Sequence, residues 1–244
     1  MIPGEQLSKD DHEDISSEME AERYRACVGL LLHISGVYRL DIAFAINQLC
    51  RYNNEPRANH QRALVHLVRF LNGTKSEELV LGQSKDNSIA AWSDADHGGC
   101  RSTGRSTSGT LVRFCGGSVA YSSKRQDTVA TSTAHSELIA LSTVAKTVMH
   151  LRQLLEEIEV HQDCTMIYTD NEAARHIAMA IGATAKIKHA RITDFYIQEL
   201  VATGEVKVAH VPGRRMLSDC LTKSLPRPAA TEMRRKLLGP EKDE

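Results

Sequence analysis

The stretch that decides the fold is residues 88–93, SIAAWS, followed directly by Asp94. We predict a strand over 88–93 with Asp94 at its end. Two further strands are predicted over residues 108–114 and 118–122, because the Gly116-Gly117 pair between them is typical of a hairpin turn. The first three predicted strands therefore lie next to one another along the chain.

Downstream of this hairpin the pattern alternates between helices and strands. The predicted elements are a long helix from about Ser132, a strand over 165–169, helices over 171–180 and 193–202, a strand over 206–211 and a short helix over 217–225. A hairpin followed by such an alternation predicts an α/β fold, in which five strands form one mixed sheet flanked by helices.

Upstream of the sheet the sequence has a different character. Residues 1–20 are rich in acids and are predicted to be a disordered lead-in, because they could bury little apolar surface. Apolar residues at helical spacing between residues 21 and 83 predict a small helical lobe. The expected division is thus 1–20 as the lead-in, 21–83 as the helical lobe, 84–226 as the α/β domain and 227–244 as a C-terminal tail.

Composition excludes several classes of protein. A net charge of -1 gives no global reason to expect nucleic acid, so such a signal has to come from local clusters of charge. The six cysteines match no zinc-site spacing and are expected to be reduced thiols of an intracellular protein. No apolar run is long enough to span a bilayer, and the acidic N-terminus does not resemble a signal peptide, so we expect no membrane and no secretion.

Four carboxylates stand where predicted strands end or helices begin: Asp94, Glu137, Asp170 and Asp219. Carboxyl ends of strands and N-termini of helices gather at one edge of such a sheet, so these acids can converge there. Oxygen ligands favour Mg²⁺ or Mn²⁺ over zinc, and two such ions support phosphodiester hydrolysis. The alternative is that each acid only caps its own element. The residues alone also do not choose between Asp94 and Asp96, or between Asp170 and Glu172.

Five blocks, in order, resemble the ribonuclease H domain of copia-type retrotransposon polyproteins. They are WSDAD at 92–96 with RSTSG at 105–109, VAYSSKRQ at 119–126 leading into SELIAL at 136–141, YTDN at 168–171 with Lys188-His189, Val211-Pro212, and LSDCLTKSLP at 217–226. The helical lobe at 21–83 is similar to the segment that joins the reverse-transcriptase polymerase to the ribonuclease H in these polyproteins.

The resemblance implies a ribonuclease H-like fold and a function. Asp94, Glu137, Asp170 and Asp219 fall on the family's catalytic, metal-binding acids. The implied activity is endonucleolytic hydrolysis of the RNA strand of RNA–DNA hybrids with Mg²⁺ or Mn²⁺, with the polymerase portion of the same polyprotein as a further partner. The alternative is a catalytically silent or co-opted remnant that binds nucleic acid or protein.

The sequence departs from the family near residues 188–193 and before the last acid. Arg191 and Thr193 stand where the family usually has an acid and a basic residue. No histidine lies between Pro212 and Asp219, where many ribonucleases H carry one that assists product release. These departures predict altered substrate handling and modest turnover.

A stretch between residues 97 and 126 contains basic residues and no acid. Because phosphates attract such clusters, the predicted nucleic-acid-binding residues are Arg101, Arg105, Lys124 and Arg125, together with Lys188 outside the stretch. The alternative interpretation is a solvated basic face.

Overall fold

The computed structural model of the chain describes residue 7 and residues 16–82, 84–100, 102–180 and 192–239, with backbone only for residues 192–195. In chain order, the α-helices are α1 (Glu18–Val37), α2 (Ala43–Cys50), α3 (Ala58–Gly73), α4 (Thr133–Glu157), α5 (Glu172–Met179), α6 (Ile192–Ala202) and α7 (Arg227–Leu238). The strands are β1 (Ile89–Ala95), β2 (Thr107–Phe114), β3 (Gly117–Arg125), β4 (Thr165–Thr169) and β5 (Val206–His210).

The strands form one five-stranded mixed sheet in the order β3-β2-β1-β4-β5. Strand β1 pairs antiparallel with β2 and parallel with β4, and β4 pairs parallel with β5. The carboxyl ends of β1, β4 and β5 therefore lie at the same edge of the sheet. The predicted fold class, a ribonuclease H-like mixed sheet flanked by helices and preceded by a helical lobe, is confirmed.

The two faces of the sheet carry separate cores. Neighbouring side chains of a strand point to opposite faces, so Ala91 and Trp92 of β1 enter different cores. Ala91 packs with the apolar side of α4, including Leu141 and Val144. Trp92 packs with a second core that is built largely from the segment after β5 and from α7.

The helical lobe has a third core formed by α1, α2 and α3, with Tyr24 and Ile46 almost fully buried. Hydrogen bonds join the lobe to the edge strand β3. The Asn47 amide donates to the Ser123 carbonyl at 2.9 Å, and the Tyr121 hydroxyl donates to the Ser35 carbonyl. The lobe thus satisfies one backbone carbonyl of the edge strand that would otherwise be open to pairing.

Helix α1 begins at Glu18, three residues earlier than the predicted lobe. Ser17 caps the helix: its hydroxyl accepts from the Glu20 amide, and the Glu20 carboxylate accepts from the Ser17 amide at 2.9 Å. This reciprocal arrangement is the capping box that Ser-x-x-Glu sequences form. The remainder of the predicted lead-in, apart from residues 7, 16 and 17, lies outside the described residues.

The predicted short helix over residues 217–225 is wrong. The structure has only a 3₁₀ turn at Asp219–Leu221, called here the acid-bearing turn. Two of its hydrogen bonds join residues three apart, from the Leu221 amide to Ser218 and from the Thr222 amide to Asp219, and the Lys223 amide donates four residues back to Asp219. Pro226 follows soon after and has no N–H to continue a helix.

The segment predicted as a C-terminal tail contains a three-turn helix, α7. Met233, Leu237 and Leu238 of α7 are buried in the second core beneath Trp92. From the sequence, only a single basic helical turn is predicted there. The adjacent basic residues Arg234, Arg235 and Lys236 make the apolar positions of the helix hard to recognise in the sequence. The domain boundaries themselves stay predictions.

Candidate functional site

Three predicted acids meet at the edge where the parallel strands end. Asp94 is the penultimate residue of β1, and Asp170 follows β4 directly. Glu137 lies in the first turns of α4, which passes over the same edge. One carboxylate oxygen from each of the three residues lies within 4.8 Å of the others. The convergence predicted for these three is therefore present in the structure.

Glu137 is held in place by the start of α4. The Ser132 hydroxyl caps the helix by accepting from the His135 amide at 3.2 Å. The buried Gln126 amide, just after β3, donates to the Ser136 carbonyl and to the Ser108 hydroxyl, both at 2.9 Å. Gln126 thus ties the end of the hairpin to the residue before Glu137.

The environment of these acids disfavours negative charge without a cation. Asp94 is 5% exposed and Glu137 is 4% exposed. Burial, followed by the nearby Asp94 and Asp170, raises the pKa of Glu137 to about 9. Burial also raises the pKa of Asp94, although a hydrogen bond from Thr222 opposes the shift.

The donor set fits a hard divalent cation. The Glu137 Oε2 atom is buried and has no hydrogen-bond partner among the described residues, although buried polar atoms are normally satisfied. A divalent cation would satisfy this oxygen and neutralise the three crowded carboxylates, and ligands that are all oxygen favour Mg²⁺ or Mn²⁺.

The fourth predicted acid, Asp219, lies next to the three clustered carboxylates but is not a member of that cluster. It lies in the acid-bearing turn, and its carboxyl group is close enough to that of Asp94 for the two to repel each other when both are ionised. Its Oδ1 atom is paired with the Lys223 ammonium at 2.6 Å. Burial and the adjacent Asp94 raise the pKa of Asp219, whereas Lys223 lowers it.

Lys223 is a feature of the site that the sequence did not single out. Burial lowers the pKa of Lys223, but the carboxylates of Asp219, Asp94 and Asp170 more than offset this effect, so the pKa is raised. Its ammonium group therefore neutralises part of the acidic cluster from within the chain. The sequence signal that could have identified Lys223 is its position four residues after Asp219, because charged side chains at this spacing often pair.

The competing acids take other positions. The Asp96 carboxylate accepts a hydrogen bond from the Thr107 amide and closes the loop between β1 and β2. An ideal Cβ on Gly99 would lie only 2.1 Å from Asp96 Oδ2, so a side chain there would displace the Asp96 carboxylate. Glu172, the first residue of α5, is exposed and pairs with Arg175 and His176 of its own helix.

Among the predicted basic residues that the structure describes, Lys124 and Arg125 do not share a surface. Side chains alternate along β3, so Lys124 and Arg125 point to opposite faces of the sheet. Lys124 is exposed, whereas Arg125 is half-buried and donates to the Cys100 thiol at 3.8 Å. Arg105 is half-buried. Arg101 and Lys188 lie outside the described residues.

Replacing Lys223 with methionine is expected to lower the melting temperature of the metal-free protein. The buried acids would lose the cation that offsets their mutual repulsion. Mg²⁺ should then raise the melting temperature more than it does in the parent, because the ion would no longer compete with the ammonium group. Thermal unfolding in EDTA and in Mg²⁺ measures both effects. An unchanged response to Mg²⁺ would show that Lys223 does not influence the site.

No protein-family model matches the chain, but individual proteins do. It is 31% identical over 204 residues to the retrovirus-related Pol polyprotein from transposon TNT 1-94 of Nicotiana tabacum, covering 84% of this chain and 15% of the polyprotein. It is 30% identical over 215 residues to the corresponding polyprotein from transposon RE2 of Arabidopsis thaliana, covering 88% of this chain and 15% of the polyprotein.

Among solved structures, the chain is similar to the ribonuclease H1 of the halophilic archaeon Halobacterium salinarum NRC-1. The identity is 15% and the TM-score 0.41, and the match covers 55% of this chain and 94% of that one. In addition, within the described residues no helix combines the length and the apolar character needed to cross a membrane.

The sheet order and the acids at its edge define a ribonuclease H-like α/β protein. Over more than four-fifths of its length, the chain is similar to Pol polyproteins of copia-type retrotransposons. It spans 15% of the length of the two relatives described above.

Proposed function

We propose that this chain is the ribonuclease H part of such a polyprotein and cuts the RNA strand of RNA–DNA hybrids with Mg²⁺ or Mn²⁺. One observation carries the proposal: three carboxylates from separate elements lie within 4.8 Å of one another, and two of them are buried. Burying like charges together is costly for a fold, so a cluster of this kind points to a role in binding cations.

In the proposed mechanism, Asp94, Glu137 and Asp170 would hold the cations at the edge of the sheet, and Asp219 would complete the set by turning away from Lys223. Bound divalent cations would lower the pKa of the attacking water and stabilise charge on the phosphate and the leaving oxygen. The fold fixes Asp94 on β1, Glu137 on α4 and Asp170 directly after β4, so these three carboxylates need little reorganisation during the reaction.

Choice of the RNA strand would come from the shape of the hybrid and from contacts to 2′-hydroxyl groups. Basic residues would hold the phosphates, with the exposed Lys124 and the half-buried Arg105 as candidates, and with Arg101 and Lys188 as further candidates outside the described residues. The great length of the relatives supports a second partner, the polymerase portion of the same polyprotein, which would deliver the hybrid to this site.

The decisive experiment is a cleavage assay on a hybrid with labelled RNA and DNA strands. We expect internal cuts in the RNA strand only, in Mg²⁺ or Mn²⁺ and not in EDTA. Single-stranded RNA and duplex DNA should remain intact. Hybrid binding without any cleavage in either ion would favour the alternative, a catalytically silent remnant that binds nucleic acid.

Neutralising Arg105 and Lys124 together, as Arg105→Gln and Lys124→Gln, is expected to weaken hybrid binding and flatten its dependence on salt. The slope of log K against log salt should fall by about one unit for each phosphate that the protein no longer neutralises. Binding isotherms between roughly 50 and 200 mM salt measure this slope.

The matched control is Lys75→Gln with Lys85→Gln. It removes the same charge from two exposed residues outside the basic stretch. If both double variants change the slope equally, the predicted basic residues act only through net charge, as a solvated face.

A further inference from the structure

The acid-bearing turn packs closely against β2 at Gly109. Gly109 pairs with Asp94 across the two strands, so the two residues lie side by side. An ideal Cβ on Gly109 would lie 2.8 Å from Leu221 Cβ, from the Ser218 carbonyl oxygen and from Thr222 Cγ2. Real Cβ atoms essentially never come so close, so only glycine lets the turn approach the sheet to this distance.

This close approach brings the Thr222 hydroxyl to Asp94. Thr222 is 1% exposed, and its hydroxyl is hydrogen-bonded to Asp94 Oδ2. The same hydroxyl also lies 2.9 Å from the Asp219 carbonyl oxygen. A hydroxyl has a single hydrogen, so it can donate to only one of these two acceptors at a time.

We propose that Thr222, seated by Gly109, is a positioning residue that orients the Asp94 carboxylate for cation binding. When Asp94 is ionised, the hydroxyl donates to Oδ2 and fixes the rotation of the carboxylate. Oδ1 then remains available to a cation. This role rests on the proposed function in so far as the bound cation serves cleavage.

The burial of Asp94 makes this donor important. Asp94 is 5% exposed, so water has little access to its carboxylate, and the hydrogen bond from the Thr222 hydroxyl fixes one of its two oxygens. Groups that orient a metal ligand typically change metal affinity or activity by roughly 10- to 100-fold when they are removed. A reduction of that size is expected here.

The test compares Thr222→Val with Thr222→Ser. Valine keeps the shape and removes the hydroxyl, whereas serine keeps the hydroxyl. We expect valine to raise the midpoint of a Mg²⁺ binding titration of the folded protein, followed by calorimetry, by roughly 10- to 100-fold, and serine to restore it nearly to that of the parent. The melting temperature in EDTA reports separately on folding. Gly109→Ala, which displaces the turn, should behave like valine in the Mg²⁺ titration.

Thr165→Val is the matched control. Thr165 is 2% exposed, and its hydroxyl accepts a hydrogen bond from Arg152 at 3.1 Å. It is the first residue of β4 and so lies at the end of that strand away from Asp170. The change should lower the melting temperature and leave the Mg²⁺ midpoint unchanged.

Two outcomes would overturn the proposal: valine with the midpoint of the parent, or serine as impaired as valine. Cleavage is read separately on the hybrid. A parent that never cleaves but whose Mg²⁺ midpoint is shifted by valine and restored by serine removes the proposed function and leaves the role of Thr222 intact.

Discussion

Replacing Asp94 or Asp170 with asparagine is expected to abolish cleavage of the hybrid while leaving the protein folded. Each change removes one ligand charge from the group of three carboxylates. Loss of metal stabilisation is worth several kcal/mol in the transition state, and about 1.4 kcal/mol already corresponds to a tenfold change in rate. We therefore expect the rate to fall by roughly a thousandfold or more, measured under single-turnover conditions with saturating enzyme.

The same variants should be no less stable than the parent in EDTA. Removing one of several crowded carboxylates relieves repulsion between like charges, so the melting temperature should stay the same or rise. Mg²⁺ should stabilise the variants less than the parent, because a weaker site gives less stabilisation by linkage. This opposite behaviour of activity and stability separates a metal ligand from a structural acid.

Asp96→Asn is the control for these variants. Asp96 closes the loop between β1 and β2 through the Thr107 amide, so its replacement should lower the melting temperature and leave cleavage near that of the parent. If Asp96→Asn stops cleavage and Asp94→Asn does not, the assignment of the first ligand is wrong. If the parent and all variants are equally inert with Mg²⁺ and Mn²⁺, the chain is not this enzyme.

Much of this arrangement could be predicted because the sheet follows local sequence signals. The Gly116-Gly117 turn, the Ser132 cap and the strand at Thr165–Thr169 are readable without tertiary information. The acids then converge by topology, since parallel strands place their ends at one edge.

The features that were not predicted depend on packing between distant segments. Thr222 and Gly109 meet only because the segment after β5 folds back onto β2. The absence of a side chain at Gly109 leaves no periodic signal in the sequence. Lys124 and Arg125 are neighbours in the sequence but lie on opposite faces of the sheet, because successive side chains of a strand point in opposite directions. Charge counts along a sequence cannot capture that separation.

The pH dependence of stability in the metal-free protein is expected to be dominated by Glu137. Its pKa is raised from an ordinary value of 4.5 to about 9 in the folded protein, first by burial and then by Asp94 and Asp170. Between these values the folded protein keeps a proton that the unfolded chain has released. Stability is therefore highest below about pH 4.5 as far as this group is concerned, and it falls as the pH rises towards 9.

The raised pKa values of Asp94 and Asp219 give the same sign, and the raised pKa of Lys223 acts above its ordinary value of 10.5. The carboxylates with lowered pKa values, such as Glu172 and Glu232, act below 4.5. The Cys100 thiol has the opposite sign: burial raises its pKa, but hydrogen bonds lower it to about 6, so it adds stability as the pH rises from about 6 to 9. Glu137→Gln should therefore remove the fall in stability that the parent shows between about pH 5 and 9.

Mg²⁺ should reverse the trend, because cation binding requires the ionised carboxylates and so becomes tighter as the pH rises. The difference in melting temperature between Mg²⁺ and EDTA should grow from about pH 5 to 9 in the parent and stay small in Glu137→Gln. Thermal unfolding at five pH values in each condition measures both curves. Parallel curves for parent and variant in EDTA would show that Glu137 is not the buried, proton-retaining ligand, and would remove the electrostatic argument for a cation at this edge of the sheet.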